Sequence, residues 1–299
     1  MIINKNVVIA GLARDCEKSL PGNILLVEKL RSNFKWSQVV IVENDSKDNT
    51  KRILGDWSRE KPGVKVISQD FGTITIPIKS KMYSNPSASI YRIEKMVKYR
   101  NIYIDYINSI SEVIDYLIVI DLDIQSFSVQ GVISSILNVN KDWGGIFANG
   151  ITRKGLWGMI FSKIYFDIYA IYEYPLRSRF GFTKETLHYT QKTINKKIRK
   201  SGYYNVISAF GGLGIYKYEA VKNIKYSLLT NCENDNDAVC EHIPFNLGII
   251  NSGYKNYISK DLEVIYGPHS FGTILAMLLS LKTFDFIYRI YCKIRSKKN

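Results

Sequence analysis

Apolar runs punctuate the first 120 positions: Val7-Val-Ile-Ala10, Val39-Val-Ile-Val42 and Tyr116-Leu-Ile-Val-Ile120 are unbroken, and Val64-Lys-Val-Ile67 is interrupted by one lysine. Short runs rich in β-branched residues predict strands buried on both faces of a parallel sheet, because a half-buried strand would alternate. Helical stretches separate them, one reaching about Leu30 and one from Lys51 to Trp57, the second preceded by the polar loop Glu43-Asn-Asp-Ser-Lys-Asp-Asn-Thr50 with its N-capping residues. A spacing of roughly thirty residues per unit is that of repeated βαβ crossovers.

The second half of the chain changes character. Phe71 to Ser89 holds two prolines and little periodicity, which predicts a loop. Apolar positions Ile93, Met96, Val97, Ile102, Ile104 and Ile107 then recur at helical spacing, on a helix that also carries Arg92, Lys95, Lys98, Arg100 and Asn101. After the strand ending at Ile120 the pattern predicts a helix around Gly131 to Val139, a strand and turn from Trp143 to Gly150, and an aromatic stretch over 157–182. A basic helix follows from Lys184 to Lys200, then the glycine-rich Ser208–Lys217 entering a strand, and a last strand from Leu262 to Tyr266. Beyond Thr273, apolar and aromatic residues interleave with lysines and arginines, the composition of an amphipathic helix lying in a membrane interface, the alternative being a C-terminal helix packed on the domain.

The length of 299 residues and a hydrophobic content of 46% are ample for a core and exclude a disordered chain. A net charge of +14 favours polyanionic partners without choosing among nucleic acid, anionic lipid and nucleotide diphosphates. Cys16, Cys232, Cys240 and Cys292 form no C-x-x-C pair, so a reduced, cytoplasmic setting is expected rather than a disulfide framework or a zinc site. No secretory h-region heads the sequence and no apolar run has the length of a spanning helix.

Chemistry concentrates where the fourth apolar run ends in Asp121-Leu-Asp123. The C-terminal edge of an open α/β sheet is where ligands bind, and two acids there offer hard oxygens to Mn²⁺ or Mg²⁺ bridging a diphosphate; the bland alternative is a strand cap. Basic residues on the preceding helix are placed to reach the same diphosphate, or else form a solvated face. Gly11 stands in a small-residue turn, Gly11-Leu-Ala-Arg-Asp15, that admits a ligand to the backbone, but the Gly-x-Gly-x-x-Gly of a dinucleotide site is absent. Glu233, Asp235, Asp237, Glu241 and His242 gather in one short stretch of an otherwise basic chain, and His269 sits on the loop after the last strand.

Five places, in this order, resemble a glycosyltransferase of the GT-A fold. They are Ala10–Arg14, Val42–Thr50, Lys98-Tyr-Arg-Asn101, Ile120–Asp123, and Phe210–Lys217 leading to Cys240-Glu-His242. The Glu-Asn-Asp-Ser-x-Asp-x-Thr loop and the Cys-Glu-His element look most like the capsule-associated mannosyltransferase type. The resemblance covers roughly residues 5 to 270. It implies an α/β fold, a Rossmann-like, mostly parallel sheet flanked by helices with a C-terminal amphipathic helical tail. The expected division is a GT-A domain over 1–272, with a nucleotide-binding half to about 125 and an acceptor half after it, followed by a membrane-associated segment over 273–299.

What the resemblance implies about function is transfer of a hexose from a nucleotide-diphosphate sugar to a glycan or lipid-linked acceptor, in surface polysaccharide or glycoconjugate synthesis, with no nucleic acid involved. By position it assigns Ala10, Gly11 and Arg14 to the nucleotide, Glu43 and Asp45 to base or ribose, Asp70 to the same donor site, Arg100 to phosphate, Asp121 to ribose and metal, and Asp123 with His269 to the metal. Glu241 is the expected general base or acceptor-positioning carboxylate, beside His242. Two rivals come from other classes. A haloacid-dehalogenase-type phosphatase also carries Asp-x-Asp after a strand, but there the motif opens the domain and Thr or Val follows it, whereas here Ile124-Gln125 does. A non-enzymatic basic nucleic-acid- or membrane-binding protein accounts for the charge and tail but not for acids gathered at strand ends.

Overall fold

A computed structural model describes residues 2–74, 76, 86–138, 142–151, 165, 167–173, 194, 196–230 and 238–266. His269, the acids Glu233, Asp235 and Asp237, most of the basic 184–200 segment and the tail from Thr273 lie outside the described residues.

The first half alternates strand and helix: β1 (Ile3–Ala13), α1 (Leu20–Arg31), β2 (Phe34–Asn44), α2 (Thr50–Glu60), β3 (Val64–Gln69), α3 (Ile90–Asn108) and β4 (Tyr116–Ile120). There follow β5 (Ser126–Phe127), α4 (Val129–Leu137), β6 (Trp143–Ile151), β7 (Tyr203–Val206), β8 (Leu213–Lys217), α5 (Tyr218–Val221), α6 (His242–Asn251) and β9 (Lys255–Ile265). All strands join one sheet in the order β3-β2-β1-β4-β8-β6-β9-β5, with β7 paired to β9. β3, β2, β1 and β4 run parallel, β8 lies antiparallel between β4 and β6, and β6 and β9 are again parallel.

The apolar runs of β1, β2 and β4 are buried on both faces, as their lack of alternation requires, whereas β3, at the end of the sheet, buries only Val64 fully. Val8, Ala10, Val40, Val42, Leu117 and Val119 pack toward α3, α5 and α6. Val7, Ile9, Val39, Ile41, Ile118 and Ile120 pack toward α1, α2 and α4 on the other side. Two helical layers on one sheet give the α/β architecture expected from the sequence, and the parallel strands all end on the edge that carries Asp121 and Asp123.

At Gly11 the sequence expectation of a ligand-admitting turn gives way to a different finding. β1 continues through Ala13, so Gly11 lies inside the strand, and a Cβ there would stand 2.5 Å from the Ile120 carbonyl oxygen. The glycine lets β1 approach the end of β4.

Candidate functional site

The two acids are set by the turn they flank. Leu122 and Ile124 are buried, and their carbonyls accept from the Asn23 amide of α1 at 2.9 and 2.7 Å; Ser19 Oγ also donates to the Leu122 carbonyl at 2.8 Å. With the apolar residues clamped inward, Asp121 and Asp123 are left facing outward into a cleft of about 580 Å³. The Asp121 N–H donates to the Gly212 carbonyl at 3.0 Å, tying the pair to the turn before β8.

Opposite them stand Arg92 and Arg100 of α3, both lining the cleft. Ser89 caps the helix, its hydroxyl accepting from the Arg92 N–H at 3.3 Å. Arg100 is buried on the face that also packs Tyr99, Tyr103, Ile104 and Ile107. Its Nε donates to Glu241 Oε1 at 2.8 Å and its guanidinium lies 3.8 Å from Asp121, between the rings of Phe210 and Tyr226. Arg92 spends one N–H on the Ser87 carbonyl at 3.0 Å, while its buried Nε has no hydrogen-bond partner. A buried cationic donor without an acceptor is costly, and an anion in the cleft would satisfy it. Of the other polar residues read on this helix, Lys95 and Lys98 cover the rings of Tyr91 and Phe71, and Asn101 exchanges two hydrogen bonds with the Tyr226 backbone.

Burial, then the charge of Asp123, pushes the Asp121 carboxyl up to about 8 against the opposing pull of Arg100; burial raises Asp123 as well. Among the described residues no three His, Cys, Asp or Glu side chains form a metal cluster. Two adjacent carboxylates that resist ionising together fit a hard divalent cation as a two-ligand foothold, leaving its other positions to phosphate oxygens and water.

The second-strand loop is used differently from the sequence expectation. Glu43 is fully buried and accepts from the Ser46 N–H at 2.9 Å and from the Ser68 hydroxyl. Asp45, at φ 53°, accepts from the Gly72 N–H at 2.7 Å and the Thr73 hydroxyl at 3.1 Å. Burial opposes the Asp45 charge, but these donors and the Asn44 amide hold its carboxyl below the usual range. Asp70 pairs with Lys51 away from the cleft. Glu43 and Asp45 thus accept hydrogen bonds within the loops at the strand ends, where backbone N–H groups need acceptors, whereas Asp70 makes only its exposed pair with Lys51. Arg14 and Asn44 do line the cleft, and Arg14 donates to the Thr73 carbonyl at 3.0 Å; Ala10 is buried beneath it.

Glu241 and His242 open α6 on the far wall. The Arg100 guanidinium outweighs burial and holds the Glu241 carboxyl at about 2, so it is a carboxylate committed to an ion pair. His242 is buried, stacks on Phe210 at 3.9 Å, and has neither ring nitrogen hydrogen-bonded. Burial and then Arg100 hold it well below the ordinary imidazole value, hence neutral.

Sequence reasoning missed Asp167 and Asn23. Asp167 accepts from the Gly211 N–H at 2.9 Å, lines the same cleft, and is raised by burial. Its signal was an acid inside an aromatic stretch that also holds Glu173; that of Asn23 was an amide on the apolar face of a helix.

No protein-family model matches the chain and no curated sequence does. Solved structures resemble it at low identity. A mannosyltransferase from Pyrobaculum calidifontis in complex with GDP-Man and Mn²⁺ aligns at 10% identity over 90% of this chain and 59% of its own, with a TM-score of 0.47. Residues 1–349 of S. aureus TarS with UDP-GlcNAc align at 12% identity over 89% and 59%, with a TM-score of 0.45. Glucosyl-3-phosphoglycerate synthase from Mycobacterium tuberculosis, with Mn²⁺, UDP and glucosyl-3-phosphoglycerate, aligns at 10% identity over 92% and 76%, with a TM-score of 0.43. The chain thus spans 59% of the first and second of these proteins.

Proposed function

We propose that the cleft binds a nucleotide-diphosphate sugar and transfers the sugar to a glycan or lipid-linked acceptor. The observation that carries this reading is the confrontation of Arg92 and Arg100 with Asp121 and Asp123 in one cleft, with the buried Arg92 Nε lacking an acceptor. Paired carboxylates facing two guanidinium groups, that of Arg100 buried, suit a diphosphate bridged to a divalent cation better than either a neutral ligand or a bare anion.

In this reading Arg92 binds the diphosphate directly, while Arg100, held by Glu241, presents fixed positive charge to the leaving phosphate. Asp121 and Asp123 would hold Mn²⁺ or Mg²⁺, which when bound supplies further charge neutralisation at the leaving group. Arg14 and Asn44 border the nucleoside end of the cleft. On the acceptor side the hydroxyl must lose a proton. Glu241 serves there as a positioning residue through Arg100, and Asp167, which lines the same cleft and whose carboxyl burial raises, is a group that could take that proton.

The test is a melting-temperature screen of UDP, GDP, CDP and TDP with and without Mn²⁺. At a hundredfold excess over Kd, mass action adds about 2.7 kcal/mol of apparent stability. At least one nucleotide should raise the melting temperature only when the metal is present, and a screen without any metal-dependent rise removes the reading.

The segment from Thr273, with its interleaved apolar and basic residues, would bring such an enzyme to an anionic membrane carrying the acceptor. No described helix is long and apolar enough to cross a membrane. Sedimentation with anionic liposomes, weakening at high salt and lost on truncation after Thr273, is the expected behaviour.

A further inference from the structure

Four neighbouring strands, β2, β1, β4 and β8, lay the cleft out in order along the edge of the sheet. Asn44 closes β2 and Arg14 follows β1, Asp121 and Asp123 follow β4, and the turn 210–212 leads into β8, whose Leu213 pairs with Ile120. That turn grips two acids at once. The Gly212 carbonyl accepts from the Asp121 N–H at 3.0 Å, and the Gly211 N–H donates to Asp167 Oδ2 at 2.9 Å. Gly211 and Gly212 sit at φ 64° and 85°, and a Cβ on Gly211 would stand 2.3 Å from the Ala148 carbonyl oxygen. Glycine is thus what permits the turn that holds Asp167 next to the end of β4.

A donor lying along this edge, with its nucleoside over β2 and β1 and its diphosphate at β4, carries its sugar onward toward β8. Asp167 then stands on the far side of the anomeric carbon from the leaving phosphate. Neutral donors, the N–H groups of Gly211 and Ala170, fix its carboxylate, and the remaining lone pairs can accept from an acceptor hydroxyl. Glu241, on the same wall, has one oxygen on Arg100 Nε at 2.8 Å and the other 3.7 Å from the Cys240 sulfur. We propose that Asp167 is the catalytic base of an in-line displacement and that transfer inverts the anomeric centre. This rests on the transferase reading and adds its stereochemical course. The acceptor oxygen bonds to the anomeric carbon as its proton passes to Asp167, and the bond from that carbon to the phosphate oxygen breaks, its electron pair leaving on the diphosphate. A single displacement leaves a single inversion.

Water serves as the acceptor in the test. The full chain with Mn²⁺ is given UDP-glucose, UDP-N-acetylglucosamine, GDP-mannose and TDP-glucose, all α-linked, and the released sugar is followed by proton NMR. At least one donor should release the β-anomer first, ahead of mutarotation. Asp167→Asn, whose amide oxygen can still accept from the Gly211 N–H, should melt near the wild type and keep both the metal-dependent nucleotide shift and the KM for the donor. Its hydrolysis rate should fall by about a hundredfold or more, the usual size of a general-base contribution. First appearance of the α-anomer, release from none of the donors, or a smaller loss in Asp167→Asn would overturn the proposal. Should Asp167→Asn fail to fold, the anomer released by the wild type decides. The nucleotide melting shifts report separately on the donor reading: a chain that shows them yet fails here keeps its donor site and loses Asp167 as the base.

Discussion

Arg100 Nε donates to Glu241 Oε1 at 2.8 Å across 141 positions of sequence, and both side chains are 4% exposed. The pair ties α3, which carries the basic wall of the cleft, to the start of α6, which carries the opposite wall. It also keeps the guanidinium 3.8 Å from Asp121, where it offsets part of the crowding of negative charge at the end of β4. A buried ion pair often adds no net stability over an apolar pair of similar volume, so conformational definition is the role this geometry supports.

That distinction can be measured. Arg100→Leu or Glu241→Leu alone strands a buried charge and should cost about 3–5 kcal/mol, whereas the double variant should recover most of it. If Arg100 serves the donor, the recovered double variant will melt near the wild type yet show no metal-dependent nucleotide shift. A double variant that binds nucleotide normally would reduce the pair to a structural prop.

The same pair sets an acid limit. Glu241 is depressed from 4.5 to about 2, so its contribution is present above pH 4.5 and is lost as pH falls from 4.5 toward 2. A shift of that size corresponds to about 3 kcal/mol by linkage. Wild type should therefore lose more stability than Glu241→Gln across that window and about as much as the variant between pH 7 and 5. Parallel acid profiles for the two proteins would show that the charge of Glu241 does not stabilise the fold.

Strands β1, β2 and β4 were legible because burial on both faces leaves a local mark, an unbroken apolar run. The acids at the end of β4 were legible for the same reason, since they interrupt such a run. Other features leave no local mark. Glu43 and Asp45 read as free ligands in a polar loop because their partners, Ser68, Gly72 and Thr73, are supplied by the end of β3 and the loop beyond it. Asn23 clamps a turn 99 and 101 positions away, and no periodicity announces that. Asp167 stands among tyrosines in a stretch that also holds Glu173, and only the fold brings it beside the Gly211 N–H.

Gly11 separates two explanations for one residue. If it admits a ligand, Gly11→Ala should weaken nucleotide binding and leave the melting temperature alone. The structure predicts the reverse order of effects: the new Cβ, 2.5 Å from the Ile120 carbonyl oxygen, forces β1 and β4 apart. The expected cost is about 1–3 kcal/mol, typical of overpacking in a tight core, and any loss of binding should follow from displacement of the Asp121 turn. Urea denaturation of the ligand-free variant checks this, and an unchanged midpoint would return Gly11 to the ligand.

Asp123 and Asp121 should respond unequally to removal. Asp123 is exposed and its carboxylate enters no ion pair among the described residues, whereas Asp121 is half-buried and faces Arg100. Without metal, Asp123→Ala should melt at or slightly above the wild type, because a carboxylate that repels its neighbour has gone. Asp121→Ala should melt higher still, because burial and the neighbouring Asp123 hold its carboxyl at about 8 and its ionised form costs stability near neutral pH in spite of Arg100. With Mn²⁺ and the nucleotide selected in the screen, both variants should lose the rise seen in the wild type, since a cation held by two carboxylates loses a direct bond in either case. A full metal-dependent rise in Asp123→Ala would take the metal away from this pair and leave the cleft as a plain anion site for Arg92.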